Sequence, residues 1–135
     1  MLGEKIGETT GKMTGQRVLE AEAKGATIEA TFQTTGKVLG VDINEIGTYW
    51  QTRRDSGALH GEGHGVWMTK DGEVCCWRGT GTGKPTGKGM GVTFRGSLSF
   101  ETTSTKLSRL NSVCAVFEYE VDEHGNTKAG LWEWK

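Results

Sequence analysis

HGEGHGVWMTKDGEVCCWRGTGTGKPTGKGMGVTFRGSLSF, residues 60–100, decides how this chain folds. Apolar and polar residues alternate through it with period two, the spacing of a strand with one buried face. Asp71-Gly72 and Lys84-Pro85 interrupt the alternation, so the stretch reads as three antiparallel strands joined by tight turns. With two-residue turns, directly opposed residues share a face. Asp71-Gly72 then pairs Met68 with Cys75, Val66 with Trp77, His64 with Gly79 and Glu62 with Gly81. Lys84-Pro85 pairs Trp77 with Val92 and Cys75 with Phe94. One face collects Val66, Met68, Cys75, Trp77, Met90, Val92, Phe94, Leu98 and Phe100, and is the expected buried side. Trp67, Thr69, Val74, Cys76, Arg78, Thr80, Thr82, Thr93, Arg95, Ser97 and Ser99 take the other.

The same alternation extends outward in both directions. Eight strands are expected: Gly3–Gln16, Ala26–Thr35, Val38–Arg54, Ala58–Lys70, Glu73–Lys84, Thr86–Thr102, Leu110–Asp122 and Thr127–Trp134. Gly36-Lys37, Ser56-Gly57 and Gly125-Asn126 supply further tight turns. The links Arg17–Gly25 and Thr103–Arg109 are longer, and Arg17–Lys24 is the best helical candidate, at most two turns, or equally a strand end and a turn. A meander of long strands without edge protection closes most economically on itself. The expected fold is therefore all-β: an eight-stranded, antiparallel, mainly up-and-down barrel. The last hairpin places Val113, Ala115, Phe117, Tyr119, Trp132 and Trp134 inside, with Leu131 and Glu133 outside.

Composition sets limits on function. The 135 residues make one domain, 1–135, large enough for a single core. Sixteen Lys and Arg balance seventeen Asp and Glu, so no basic surface points to nucleic acid. Three cysteines cannot all pair, which suits reduced thiols in the cytoplasm. MLGEKIGETT lacks a signal-peptide core, and no apolar run approaches the ~20 residues of a membrane helix. The 22 glycines fall largely inside strands, where they mark bends or make room for bulky neighbours.

The Ser56-Gly57 turn gives the candidate site. It places Glu45, Tyr49, Gln51 and Arg53 on the same side as His60, Glu62 and His64, facing Gly79, Gly81 and Gly83. Polar groups converging above an apolar floor are what a small-molecule site needs. The expected ligand-binding residues are Glu45, Tyr49, Gln51, Arg53, His60 and Trp77. The expected acid–base residues are His64 and its partner Glu62. The alternative is that Arg53 and Glu62 simply pair at a solvated barrel mouth. No metal site is expected: in His60-x-Glu62-x-His64, alternate residues lie ~6.6–6.8 Å apart, too far for all three to share an ion without a bulge. The glycines of GTGTGKPTGKGMG lie in strands with no helix following, so they are not a phosphate loop, and no cofactor is expected.

Strand count and turn placement resemble the small eight-stranded barrels of the allene oxide cyclase-like and lipocalin-like (calycin) architectures. Gly65-Val66-Trp67 sits in the fourth strand, so the Gly-x-Trp signature of the first lipocalin strand does not carry over. GHGVWMTKDGEVCCWRGTG and NSVCAVFEYEVDEHGNTKAGLWEWK resemble an uncharacterised microbial family. The resemblance implies a barrel that holds a small apolar ligand. Three functions follow as expectations. The first is binding of a small, partly apolar molecule in the lumen. The second is a cofactor-independent isomerase, cyclase or lyase using the same lumen. The third is an assembly module forming a homo-oligomer through outward Trp67, Trp50, Ile46 and Leu131.

Overall fold

The computed structural model describes residues 1–23 and 25–135. Eight strands run β1 (Leu2–Glu22), β2 (Gly25–Val38), β3 (Val41–Arg53), β4 (Leu59–Thr69), β5 (Val74–Pro85), β6 (Val92–Thr102), β7 (Ala115–Val121) and β8 (Asn126–Trp134). Each pairs antiparallel with the next, and β8 returns to β1, so the sheet closes into the expected barrel. A 3-10 turn, Ser108–Ser112, lies between β6 and β7. Leu107 and Leu110 beside and within it are fully buried and plug one end of the barrel. Burial of two leucines stabilises by roughly 2 kcal/mol each. Arg109 ties this cap to the wall, meeting Glu4 at 2.9 Å and Glu133 at 2.6 Å. Arg17–Glu22 is strand, not helix, and Lys24 lies outside the described residues.

The turns differ from the expected ones in a regular way. Three of them share one geometry: Arg54–Ala58, Thr69–Glu73 and Asp122–Asn126. In each, the fourth residue is a glycine at positive φ: Gly57 at 89°, Gly72 at 81° and Gly125 at 83°. Its N–H returns to the carbonyl of the first residue, while the first N–H bonds to the fifth carbonyl. This is a type I turn followed by a left-handed residue, a three-residue loop. The expected two-residue loops were short by one residue at Ser56-Gly57 and Asp71-Gly72. An odd displacement exchanges the two faces of a strand.

β4 is therefore reversed relative to expectation. Trp67 and Thr69 point inward, Trp67 with 1% exposure, and Val66 and Met68 point outward. β8 is reversed as well: Leu131 is buried, while Trp132 and Trp134 turn outward. Trp67 and Leu131 thus leave the expected outer contact surface. The other two errors were even and harmless to the faces. The β2–β3 turn is Leu39-Gly40, with both φ positive, rather than Gly36-Lys37. β5 runs to Pro85 and pairs Trp77 with Phe100, leaving Thr86–Gly91 as a loop that holds exposed Met90. Val92, Phe94, Leu98 and Phe100 still face inward.

Two neighbouring clusters fill the interior. Phe32, Trp67, Trp77, Leu98 and Phe100 dominate one, and Leu59, Val92, Phe94 and Tyr119 the other. Large rings lie across inward glycines, as Trp77 does over Gly65 and Phe94 over Gly61. The strand glycines thus make room for bulky neighbours. At the end away from the cap, β1 outruns β8. Its pairing with β8 stops at Lys12, so Thr14–Glu22 is bonded only to β2.

Candidate functional site

Among the described residues, Glu45 on β3 is the carboxylate buried in the lumen, with 7% exposure. The register sets its surroundings. Thr34 of β2 and Trp67 of β4 are its cross-strand neighbours, and Trp77 of β5 stands one strand further on. Thr34 donates its hydroxyl to Oε1 at 2.7 Å. The indoles of Trp67 and Trp77 both donate to Oε2, at 2.6 Å and 2.9 Å. No Lys, Arg or His pairs with Glu45 among the described residues. Burial raises its pKa, and the three donated hydrogen bonds only partly oppose that rise.

Further along the lumen, away from the cap, Tyr49 of β3 meets Tyr119 of β7. Their rings lie 5.6 Å apart, nearly edge to face. Both hydroxyls reach the Sδ of Met13, at 3.9 Å and 3.8 Å. Tyr119 also donates to the Tyr49 hydroxyl, which leaves the Tyr49 O–H only the weakly accepting thioether. Burial pushes both phenol pKa values up, which keeps them protonated donors. Phe32 bridges the two polar points, 5.5 Å from the Tyr119 ring and 6.4 Å from that of Trp77.

Glu45, Tyr49 and Tyr119 line one cavity of about 80 Å³, walled by Phe32, Trp77, Phe94, Leu98 and Phe117. That is roughly half the ~150 Å³ of an apolar cavity able to take benzene. The cavity has a carboxyl acceptor toward the cap and a pair of O–H donors toward the open end. Cys75 is also buried on the inner wall, its pKa pushed up to about 11 by burial, so it is a thiol at neutral pH and not a nucleophile.

Of the expected site residues, Glu45, Tyr49 and Trp77 line the cavity. Gln51 continues their face of β3, half-buried, opposite Gly61. Arg53 lies exposed at the end of the strand. His60, Glu62 and His64 are corrected to the outer wall, because the Arg54–Ala58 and Thr69–Glu73 loops each carry one residue more than expected. His60 there meets Glu62 at 3.3 Å, and His64 packs edge-on against Trp50 at 5.6 Å. Glu62, His64, Trp50 and Arg78 border a shallow outer depression, separated from the lumen by the Gly63 and Gly79 backbone. Thr34, Trp67, Tyr119 and Met13 were not among the expected site residues. Tyr119 already fell on the inner face, and a three-residue loop at Gly72 would have turned Trp67 onto it.

No protein-family model matches the chain. No curated protein sequence matches it either. Solved structures do. A protein of unknown function from Clostridium acetobutylicum ATCC 824 superposes with TM-score 0.81 at 14% identity, covering 98% of each chain. A β-barrel like protein from Acinetobacter baumannii AYE superposes with TM-score 0.80 at 15% identity, covering all of this chain and 96% of its own. An enzyme from Penicillium herquei superposes with TM-score 0.70 at 17% identity, covering 96% of this chain and 92% of its own. At such identities the likeness is one of fold.

Proposed function

We propose that the lumen binds a small, largely apolar molecule bearing an oxygen acceptor. One observation carries this reading: two phenol hydroxyls, partnered only by each other and by a thioether, face the same cavity as a buried carboxyl. A ligand carbonyl or ether oxygen is a stronger acceptor than Met13 Sδ and would take both donors. Oε1 of Glu45 accepts only from Thr34, so it keeps a lone pair for a ligand O–H or polarised C–H. Aromatic walls supply the apolar contact, and the resemblance to lipocalin-like barrels supports a ligand in this position.

The test is titration with butanone and cyclopentanone, followed by the fluorescence of Trp67 and Trp77, whose indoles bond to Glu45. A saturable change is expected, weakened about tenfold in Tyr119→Phe, as one lost hydrogen bond of ~1.4 kcal/mol implies. Failure of both ketones to saturate any signal, with Tyr119→Phe indistinguishable from the parent, would sink the reading.

A further inference from the structure

We propose that the lumen is a proton-transfer site for an enolisable carbonyl compound, with Glu45 as base and then acid, and the Tyr49 and Tyr119 hydroxyls as the cradle of the carbonyl oxygen. This rests on the lumen reading above and gives it a substrate class.

The arrangement has the parts such a step requires. Three donors from three different strands hold the Glu45 carboxylate against rotation, leaving one lone pair of Oε1 directed away from Thr34. Thr34, Trp67 and Trp77 are positioning residues. The two phenols line the same cavity as Glu45, with the apolar ring of Phe32 packed against both. Neutral donors fixed in an aromatic-walled cavity stabilise developing negative charge better than they would in water. A carboxyl whose proton is held more tightly than usual is also a stronger base once ionised, which suits it to a carbon acid.

In the forward step, a C–H bond next to the carbonyl breaks and an O–H bond forms on Glu45. The electron pair moves into the carbonyl to give an enolate oxygen, which accepts from Tyr49 and Tyr119. Between the two steps the Glu45 carboxyl proton exchanges with solvent. In the return step the carboxyl O–H, or O–D in deuterium oxide, breaks and a C–H or C–D bond forms at the same carbon, or at the γ-carbon of a conjugated enolate. The net change is exchange or isomerisation, and no oxidant, reductant or further reactant is consumed.

The experiment incubates the whole chain with butanone in deuterium oxide and follows loss of the α-proton signals by NMR, with binding read by tryptophan fluorescence on the same samples. Exchange about tenfold or more above buffer is expected, falling to the buffer rate in Glu45→Gln and at least severalfold in Tyr119→Phe. The rate should rise with pH along a single ionisation displaced upward from that of an ordinary glutamate. Tyr49 on the same strand and Tyr119 on β7 are the other titratable groups on the cavity wall, and both stay protonated through that range. The elements around the carboxyl present Thr34, Trp67 and Trp77 to it, none of which titrates there. If Glu45→Gln does not fold, the pH profile and Tyr119→Phe decide instead. Saturable binding with exchange no faster than in buffer overturns the proton-transfer proposal and leaves the binding site standing. Absence of both overturns the two together.

Discussion

Trp67 and Glu45 are joined across the β3–β4 ladder by a 2.6 Å bond from the indole nitrogen to Oε2, and no cation among the described residues pairs with the carboxylate. The proton on Glu45 therefore bears on stability. Its native pKa is raised, mainly by burial. The native state holds that proton more tightly than the unfolded chain does, so the stabilising contribution is complete below about pH 4.3 and is lost as pH rises through the native value. Every tenfold weakening of the acid costs about 1.4 kcal/mol at neutral pH. In Glu45→Gln, the amide oxygen can accept from both indoles while the amide N–H donates to Thr34. That variant should match or exceed the parent at pH 8 and lose its advantage near pH 5, as read from thermal melts across that interval. Exposed Glu8, Asp71 and Asp122 have lowered values and act oppositely, in more acidic solution. A parent melting point that rises with pH in parallel with Glu45→Gln would contradict this assignment.

Gly65 lies beneath Trp77. A Cβ at that position would run into the indole, including its Nε1. Gly65→Ala should push the ring aside, break its bond to Glu45 and cost roughly 1–3 kcal/mol as an overpacked core. Denaturant unfolding gives the cost, and near-ultraviolet circular dichroism reports the displaced indole. Gly15→Ala is the control: its Cβ meets nothing within 4 Å, and the change should stay within about 0.5 kcal/mol.

The three-residue loops make a separate prediction. Gly72 stands at φ 81° with open space around it, so only backbone conformation opposes a side chain there. Gly72→Ala should cost about 1–2 kcal/mol, and Gly72→Asn less, because asparagine tolerates the left-handed region. Equal costs for both would mean that something other than φ governs the position.

Met13 is the flexible member of the lumen wall, touching both phenol hydroxyls through its sulfur. A ring-sized ligand needs more than the present 80 Å³, and Met13, packed behind the two phenols that line the cavity, is the side chain best able to yield. Met13→Ala should lower stability by about 2 kcal/mol and tighten cyclopentanone binding relative to butanone. Calorimetric titration of both ketones against parent and variant measures that ratio. An unchanged ratio would place the ligand away from the phenols.

The strand pattern, the closure and three cavity residues were legible in the sequence. Glu45, Tyr49 and Trp77 belong to β3 and β5, whose inner faces follow from alternation with Ile43 and Cys75. His60, Glu62 and His64 depended on turn length instead. Asp71-Gly72 ends both a two-residue and a three-residue hairpin, and the two differ only in whether Lys70 belongs to the strand or the loop. Nothing local to that dipeptide distinguishes them. One residue was enough to exchange Trp67 with His64 as the lumen-facing set. The β2–β3 and β5–β6 turns were misplaced by more, yet by even steps, and Phe32, Phe94 and Leu98 kept their side.

On the edge away from β2, the overhang of β1 past Met13 presents a row of backbone donors and acceptors that no strand among the described residues takes up, with Val18 and Leu19 exposed along it. Such an edge is a template for adding another strand, and through that for aggregation. Two irregularities, at Met13–Gly15 and Val18–Glu20, break its spacing. An incoming strand would lose the ladder within a few residues unless it carried matching bulges of its own. Arg17, Glu20 and Glu22 add charge along the same run. The overhang thus tolerates its apolar side chains because its hydrogen-bonding groups are out of step with any regular partner.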